Sequence, residues 1–177
     1  MALDTSQIRS GISGEVSVGP TTATAPASAS EALTLFVGLG YLSDGGLVPK
    51  PERSTKDLTL WQNNAVGRTF VTGAKTVYAF TLVQTNIDTI GFAWGTEVTQ
   101  TITEGTYNAD PAATGGRKSF VFDAVDGTNL HREYVAAGEL TKMTPGGFVN
   151  GEAQSYECEV TAYSVPAVFD TSLKSAV

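Results

Sequence analysis

His131 is the only histidine in the chain. Alternation along Leu130-His131-Arg132-Glu133-Tyr134 places it beside Glu133 on one strand face. Such a pair can act as a general base or contribute to a metal site, because imidazole exchanges its proton near neutral pH and a neighbouring carboxylate tunes it. The rest of the sequence completes neither device. A zinc centre draws on several His and Cys ligands, and the chain offers one of each. A strand histidine that is exposed, or that lies at a subunit contact, accounts for the pattern with fewer assumptions. Cys158 alternates with Tyr156, Val160 and Ala162 and is expected as a small buried hydrophobe, not a nucleophile. Asp123-Ala124-Val125-Asp126-Gly127 superficially matches part of a calcium loop but lacks the other ligands at the required spacing, so Asp126-Gly127 is expected as a hairpin turn. There is no Gly-x-Ser-x-Gly elbow, Walker loop or dinucleotide fingerprint. The expectation is a protein that is not an enzyme, with no catalytic, cofactor-binding or metal-ligating residues and no cofactor.

Composition points the same way. The 177 residues suit one domain with long arms. Hydrophobic residues make up 41% and charged residues 16%, below the roughly 25% charged of an ordinary soluble domain. Gly, Thr, Ser and Ala fill the difference and favour strands and turns. A weakly charged surface is also tolerable where much of it meets other subunits. The net charge of −7 argues against nucleic-acid binding through a basic patch, since phosphate affinity comes from Lys and Arg. A lone cysteine excludes an intramolecular disulfide. The longest apolar stretch, residues 33–42, is broken by Thr34, Gly38 and Gly40 and is too short to span a bilayer. The start of the chain lacks a basic segment followed by an apolar one, so no secretory signal is expected and the protein is placed in a cytoplasm until assembly.

The elements that would hold these residues are mostly strands. Residues 1–32 are polar and small, read as an N-terminal arm containing one short strand, Glu15-Val16-Ser17-Val18, that ends at Gly19-Pro20; a disordered tail or linker is the alternative. Strand signals follow at 33–37 and 40–42. Residues 43–56, with Pro49 and Pro51, read as a long irregular functional loop. Residues 57–61 and 66–72 are the next two strands, split by Gln62-Asn63-Asn64. Residues 76–84 form a central strand apolar on both faces. One helix is expected over 86–94, capped by Asn86 or Thr85 and ended by Gly95, with Ile87, Ile90, Ala93 and Trp94 as its packed stripe. A strand at 96–103 and a Gly/Pro-rich loop precede a hairpin of 119–125 and 129–135. Strands at 139–143 and 154–163 complete the set, the last with Tyr156, Cys158, Val160 and Ala162 inside and Glu157, Glu159 and Thr161 wet. Residues 164–177 are expected as a C-terminal arm. Without a βαβ rhythm, the fold class is mainly β: an antiparallel β-sandwich or barrel over 33–163 with one flanking α-helix.

The order of these pieces carries a resemblance. Leu39-Gly40-Tyr41-Leu42-Ser43-Asp44-Gly45-Gly46-Leu47 is followed by Asp57-Leu58-Thr59-Leu60-Trp61-Gln62-Asn63 and Val66-Gly67-Arg68-Thr69-Phe70-Val71-Thr72. Then come Tyr78-Ala79-Phe80-Thr81-Leu82-Val83-Gln84-Thr85-Asn86, the hairpin Phe120 to Gly127, Gly147-Phe148-Val149-Asn150-Gly151-Glu152-Ala153, and Thr161-Ala162-Tyr163. Over residues 14–163 this series resembles the major tail tube proteins of long non-contractile-tailed bacteriophages (siphophages). Residues 100–117 have no matched counterpart, and no extra immunoglobulin-like domain follows residue 163, which suggests an undecorated tube.

The resemblance implies a structural subunit of the virion tail: a β-sandwich with a flanking helix, six copies per ring, and rings stacked into a hollow tube. The implied partners are other copies of the chain, a tape-measure protein in the lumen, tail terminator and tail-tip proteins, and DNA as a passing, repelled cargo, with no membrane-spanning segment. An acidic lumen would repel phosphate, and Glu157 and Glu159 are the candidate lumen-facing residues. Asp44, Lys50, Glu52, Arg53 and Lys56 in the 43–56 segment are the candidate inter-ring contacts. Three alternatives stay open. One is a contractile-tail or Hcp-like tube ring protein. Another is a β-sandwich carbohydrate-binding or fibre module, which wants exposed aromatics where Trp61 and Trp94 are expected to pack. The third is a small β-rich hydrolase resting on His131 alone.

Overall fold

A computed structural model describes residues 8–173. The tightest local signal, Asp126-Gly127, turns β7 (Lys118–Asp126) into β8 (Asn129–Pro145), with Asp126 paired to Asn129. β1 (Ser13–Gly19) pairs antiparallel with the other edge of β7, and β2 (Val37–Gly38) pairs with β1. The strand expected over 33–37 shrinks to those two residues because Leu35 takes φ +65°, a left-handed conformation that interrupts an extended run.

β8 is longer than its partner, and that excess bends the sheet. Gly138 pairs with Lys118 of β7 and also with Ala162 of β9 (Tyr156–Ala162); beyond it β8 continues along β9. A side chain at Gly138 would meet the Phe120 ring at 3.0 Å and the Thr161 carbonyl at 3.3 Å, so the crossover leaves room for little more than hydrogen. The two strands expected at 129–135 and 139–143 are therefore one. β9 pairs with β4 (Val66–Leu82), and β4 with β3 (Leu42–Thr59), giving the order β2-β1-β7-β8-β9-β4-β3. β10 (Ala167–Asp170) lies on β8 over His131–Tyr134. A separate ribbon pairs β5 (Thr99–Gln100) with β6 (Gly105–Thr106), all that forms of the strand expected over 96–103.

Tyr78 of β4 and Phe122 of β7 stack with ring centroids 4.1 Å apart. Three strand spacings would separate them by about 14 Å in a flat sheet. The sheet therefore curls so that its two halves face each other across one core without closing. Phe80, Phe120, Val16, Val135, Leu140, Cys158 and Val160 fill that core. Helix α1 (Ile87–Trp94) plugs one end with Ile90, Phe92 and Ala93. Asn86 caps it by accepting from the Thr89 N–H at 2.8 Å, and Gly95 ends it at φ +60°. Within the expected stripe Ile87 stays largely exposed, and Phe92 takes the packing place.

The irregular loop expected over 43–56 is instead part of strand β3. Pro49 and Pro51 are accommodated because β3 is the last strand of the sheet. Two residues apart, they present the same edge, and that edge has no partner. The start of that segment, Ser43 to Gly46, is irregular only as a bulge between the Leu42–Leu82 and Leu47–Phe80 pairs. Asn63 and Asn64, both left-handed, close the β3–β4 hairpin where a break was expected. In β9, Glu157 is exposed and Glu159 half-buried as anticipated, but Thr161 is buried. The C-terminal arm expected over 164–177 contains β10; residues 174–177, like 1–7 of the N-terminal arm, lie outside the described residues.

Candidate functional site

The titratable side chains gather around His131. Its same-face partner is the expected one: Nε2 lies 3.1 Å from Glu133 Oε1. Nδ1 lies 3.0 Å from Asp170 Oδ2 on β10, and Arg9 donates to the same carboxylate at 3.2 Å. Glu133 also accepts from the Tyr78 hydroxyl at 2.5 Å. Asp170 was not legible as a partner, since it sits 39 residues away and only the β8–β10 pairing brings it there. Burial disfavours a charged ring at His131, but the bonds to Glu133 and Asp170 outweigh it and raise its pKa. The Ser172 backbone N–H, opposed by burial and assisted by His131 and Arg9, holds the Asp170 carboxyl below the usual range. Burial and the Glu133 bond push the Tyr78 phenol up. While it is protonated, an imidazole bonded to carboxylates at both nitrogens offers no lone pair to a substrate.

The other candidates for chemistry are similarly occupied. Asp123 accepts two bonds of 2.7 Å from the buried Arg132 guanidinium, which also donates to the Glu31 carbonyl at 2.6 Å. Through its bonds to the Ser28 and Glu31 carbonyls, Arg132 ties residues 28–31 to the sheet. Cys158 is 1% exposed, and burial pushes its thiol up to about 12. Among the described residues no cluster of three or more His, Cys, Asp or Glu is placed to hold a metal ion.

The surface that stands out is mechanical. Every residue from 48 to 75 is exposed, so the outer part of the β3–β4 hairpin projects from the sheet with both faces bare. From Glu52 to the turn it reaches roughly 30 Å at the usual rise per residue. Trp61 at the tip is 96% exposed, which corrects the expectation that it packs; Leu58, Val66 and Val71 are also more than half exposed. Arg68 covers part of the Phe70 ring at 4.9 Å. An isolated two-stranded ribbon is marginal in water, and apolar exposure along it calls for a covering surface. Trp94, by contrast, packs against the core as expected.

Of the candidate contact residues, Glu52, Arg53 and Lys56 ride on this ribbon, and Asp44 lies in the bulge at its base. Glu52 bonds to Lys75 across the ribbon at 3.1 Å. Lys50 turns back to its own sheet and meets Glu159 at 3.5 Å, while Lys142 approaches Glu159 at 3.6 Å. The two acidic residues of β9 therefore differ: Glu159 sits between two cations, and Glu157 is exposed. Sequence reasoning missed Trp61 and Phe70 as surface residues, because nothing local says that the strands carrying them run past the sheet.

The chain is β-rich and carries an elongated exposed hairpin with apolar side chains near its tip, and its sequence falls within a known family. Residues 1–168 match the family model described as "Phage tail tube protein". The chain belongs to the phage tail tube family. This tail tube protein also shares its fold with a chain from the sheath–tube complex of an extracellular contractile injection system (PVC) in the extended state. The match has a TM-score of 0.53 at 12% identity and covers 94% of this chain and 98% of that one. A chain from the tail of an empty GTA particle, refined with C6 symmetry, matches with a TM-score of 0.44 at 12% identity over 94% of this chain and 98% of that one. A chain from the virion of a native gene transfer agent particle gives 0.43 at 15% identity over 77% and 89%. No curated protein matches the sequence. The tail tube protein is thus a structural subunit that assembles with copies of itself into a tube. No helix among the described residues is long and apolar enough to cross a membrane.

Proposed function

We propose that this tail tube protein forms rings of six copies stacked into a non-contractile tube, with the β3–β4 hairpin tying one ring to the next. The observation that carries this is the bare ribbon over residues 48–75, whose outer part exposes Leu58, Leu60, Trp61, Val66, Phe70 and Val71 and needs a neighbour to cover them. Trp61 and Phe70 are the anchors, with Asp44, Lys50, Glu52, Arg53 and Lys56 as the polar contacts around them. The lumen holds a tape-measure protein and conducts DNA into the host, and Glu157 with Glu159 faces that lumen. Terminator and tip proteins close the ends, assembly takes place in the host cytoplasm, and the subunit carries out no catalysis.

The test is the double variant Trp61→Ala/Phe70→Ala in the full chain, followed by sedimentation and negative-stain imaging. Both residues are outside the core, so the variant keeps the wild-type circular dichroism and melting curve. Tubes should be absent or shortened to single rings. Normal tubes from a normally folded variant would remove the hairpin from the contact.

A further inference from the structure

His131 belongs to none of the tube contacts proposed above, yet both of its ring nitrogens are bonded to carboxylates. Its bonds join separate parts of the chain. Glu133 lies on its own strand and links through the Tyr78 hydroxyl to β4; Asp170 belongs to β10; Arg9 reaches Asp170 from the segment before β1. Across β7 the residue opposite His131 is the uncharged Ala124. Asp44 from the β3 bulge and Asp123 from β7 line the same cavity of about 540 Å³ as His131 and Glu133, and Glu15 and Arg132 line the neighbouring one. The ring is thus surrounded mainly by carboxylates, with Arg9 and Arg132 already committed to Asp170 and Asp123.

β10 has little else to hold it. It is four residues long, its Val168 is more than half exposed, and beyond the ladder and the Arg9–Asp170 pair its anchors are the Thr171–Leu130 bonds, the shorter two at 2.9 and 3.0 Å. We propose that His131, as an imidazolium bridging Glu133 and Asp170, is a proton-operated latch that fastens the C-terminal strand β10 to the edge of β8. Loss of the proton leaves one ring nitrogen with a lone pair facing a carboxylate, so that side of the bridge changes from attraction to repulsion. β10 then detaches, and the β8 edge over His131–Tyr134 opens.

The direction with pH follows from the two shifts. The raised pKa of His131 means that its contribution is complete below the ordinary histidine value, about 6.5, and is lost as pH rises through the raised one. The lowered pKa of Asp170 means that its contribution is complete above the ordinary aspartate value, about 4, and is lost only in stronger acid. The latch is therefore fully closed between about pH 4 and 6.5 and opens on the alkaline side.

Hydrogen exchange of the full chain, held in one assembly state, tests this. Protection factors for the amides of 167–170, corrected for intrinsic rates, are compared at pH 6 and pH 9 with those of β9 as an internal reference. Protection of β10 should fall at pH 9 by about tenfold for each unit by which the His131 pKa is raised, and that of β9 by no more than this. His131→Gln should show low β10 protection at both pH values. An NMR titration of the wild-type ring supplies a second readout, with a midpoint above 6.5 expected. Constant β10 protection between pH 6 and pH 9, or a ring that titrates at or below the ordinary value, overturns the proposal whether or not the variant folds. Neither readout depends on tube formation, so failure of the latch and failure of the stacking hairpin are told apart.

Discussion

His131, Cys158 and Asp123 looked in sequence like the raw materials of chemistry, and each is tied into the fold, His131 by two carboxylates, Asp123 by Arg132 and Cys158 by burial. Alternation alone placed His131 beside Glu133 and buried Cys158, because both facts depend on period two along a strand. Asp170 and Arg132 were not legible in those roles; their partners come from strand pairings distant in sequence or from the path of residues 28–31. Burial of the Cys158 thiol gives a direct expectation. In the native protein at pH 8 it should resist a disulfide reagent, reacting at a rate set by unfolding, and should react fully in denaturant. Rapid stoichiometric labelling of the folded chain would contradict the buried position.

At the scale of elements, local rules succeeded wherever the cause was local. The helix was delimited within one residue because Asn86 and Gly95 carry their capping chemistry in their own side chain and backbone. Asn86→Ala should therefore cost about 1 kcal/mol in chemical denaturation, with the fold unchanged, and a loss below the error of the measurement would mean that the cap is idle. The β7–β8 hairpin was legible for the same reason. Strand β3 was not. Pro49 and Pro51 signal an irregular loop unless the segment is known to lie at the edge of a sheet, and position in a sheet is a property of the whole fold. Trp61 was misplaced by the same ignorance: an alternating strand reads as packed, whereas this one extends beyond anything that could pack on it.

For the whole molecule, the curled open sheet separates two tasks. Its inner surface is a core of aromatic and aliphatic side chains, while the other face of β9 carries Glu157 and Glu159, with Glu159 set between Lys50 and Lys142. If that surface lines the tube, Glu157 carries the repulsion of passing phosphate. Glu157→Lys in assembled tails should then slow DNA delivery, measured as release from triggered particles, with tail length and abundance unchanged. Unaltered delivery by normal tails would remove Glu157 from the lumen role. Glu159→Lys is a poorer probe, since it would bring three cations together and disturb folding itself.

The two prolines of β3 also restrict how copies can meet. A bare sheet edge ordinarily accepts a strand from any other molecule in several registers, and unchecked pairing of that kind ends in fibrils. Here the outward edge lacks amide hydrogens at positions 49 and 51, so an incoming strand finds a broken ladder there. Outward amide hydrogens resume only at Arg53 and continue toward the tip, with irregularities in the ladder at Ser54/Thr55 and Leu58/Thr59. The same pair of residues that disguised the strand in the sequence thus acts as a stop, leaving one stretch of the edge available and making the order of copies along a polymer directional.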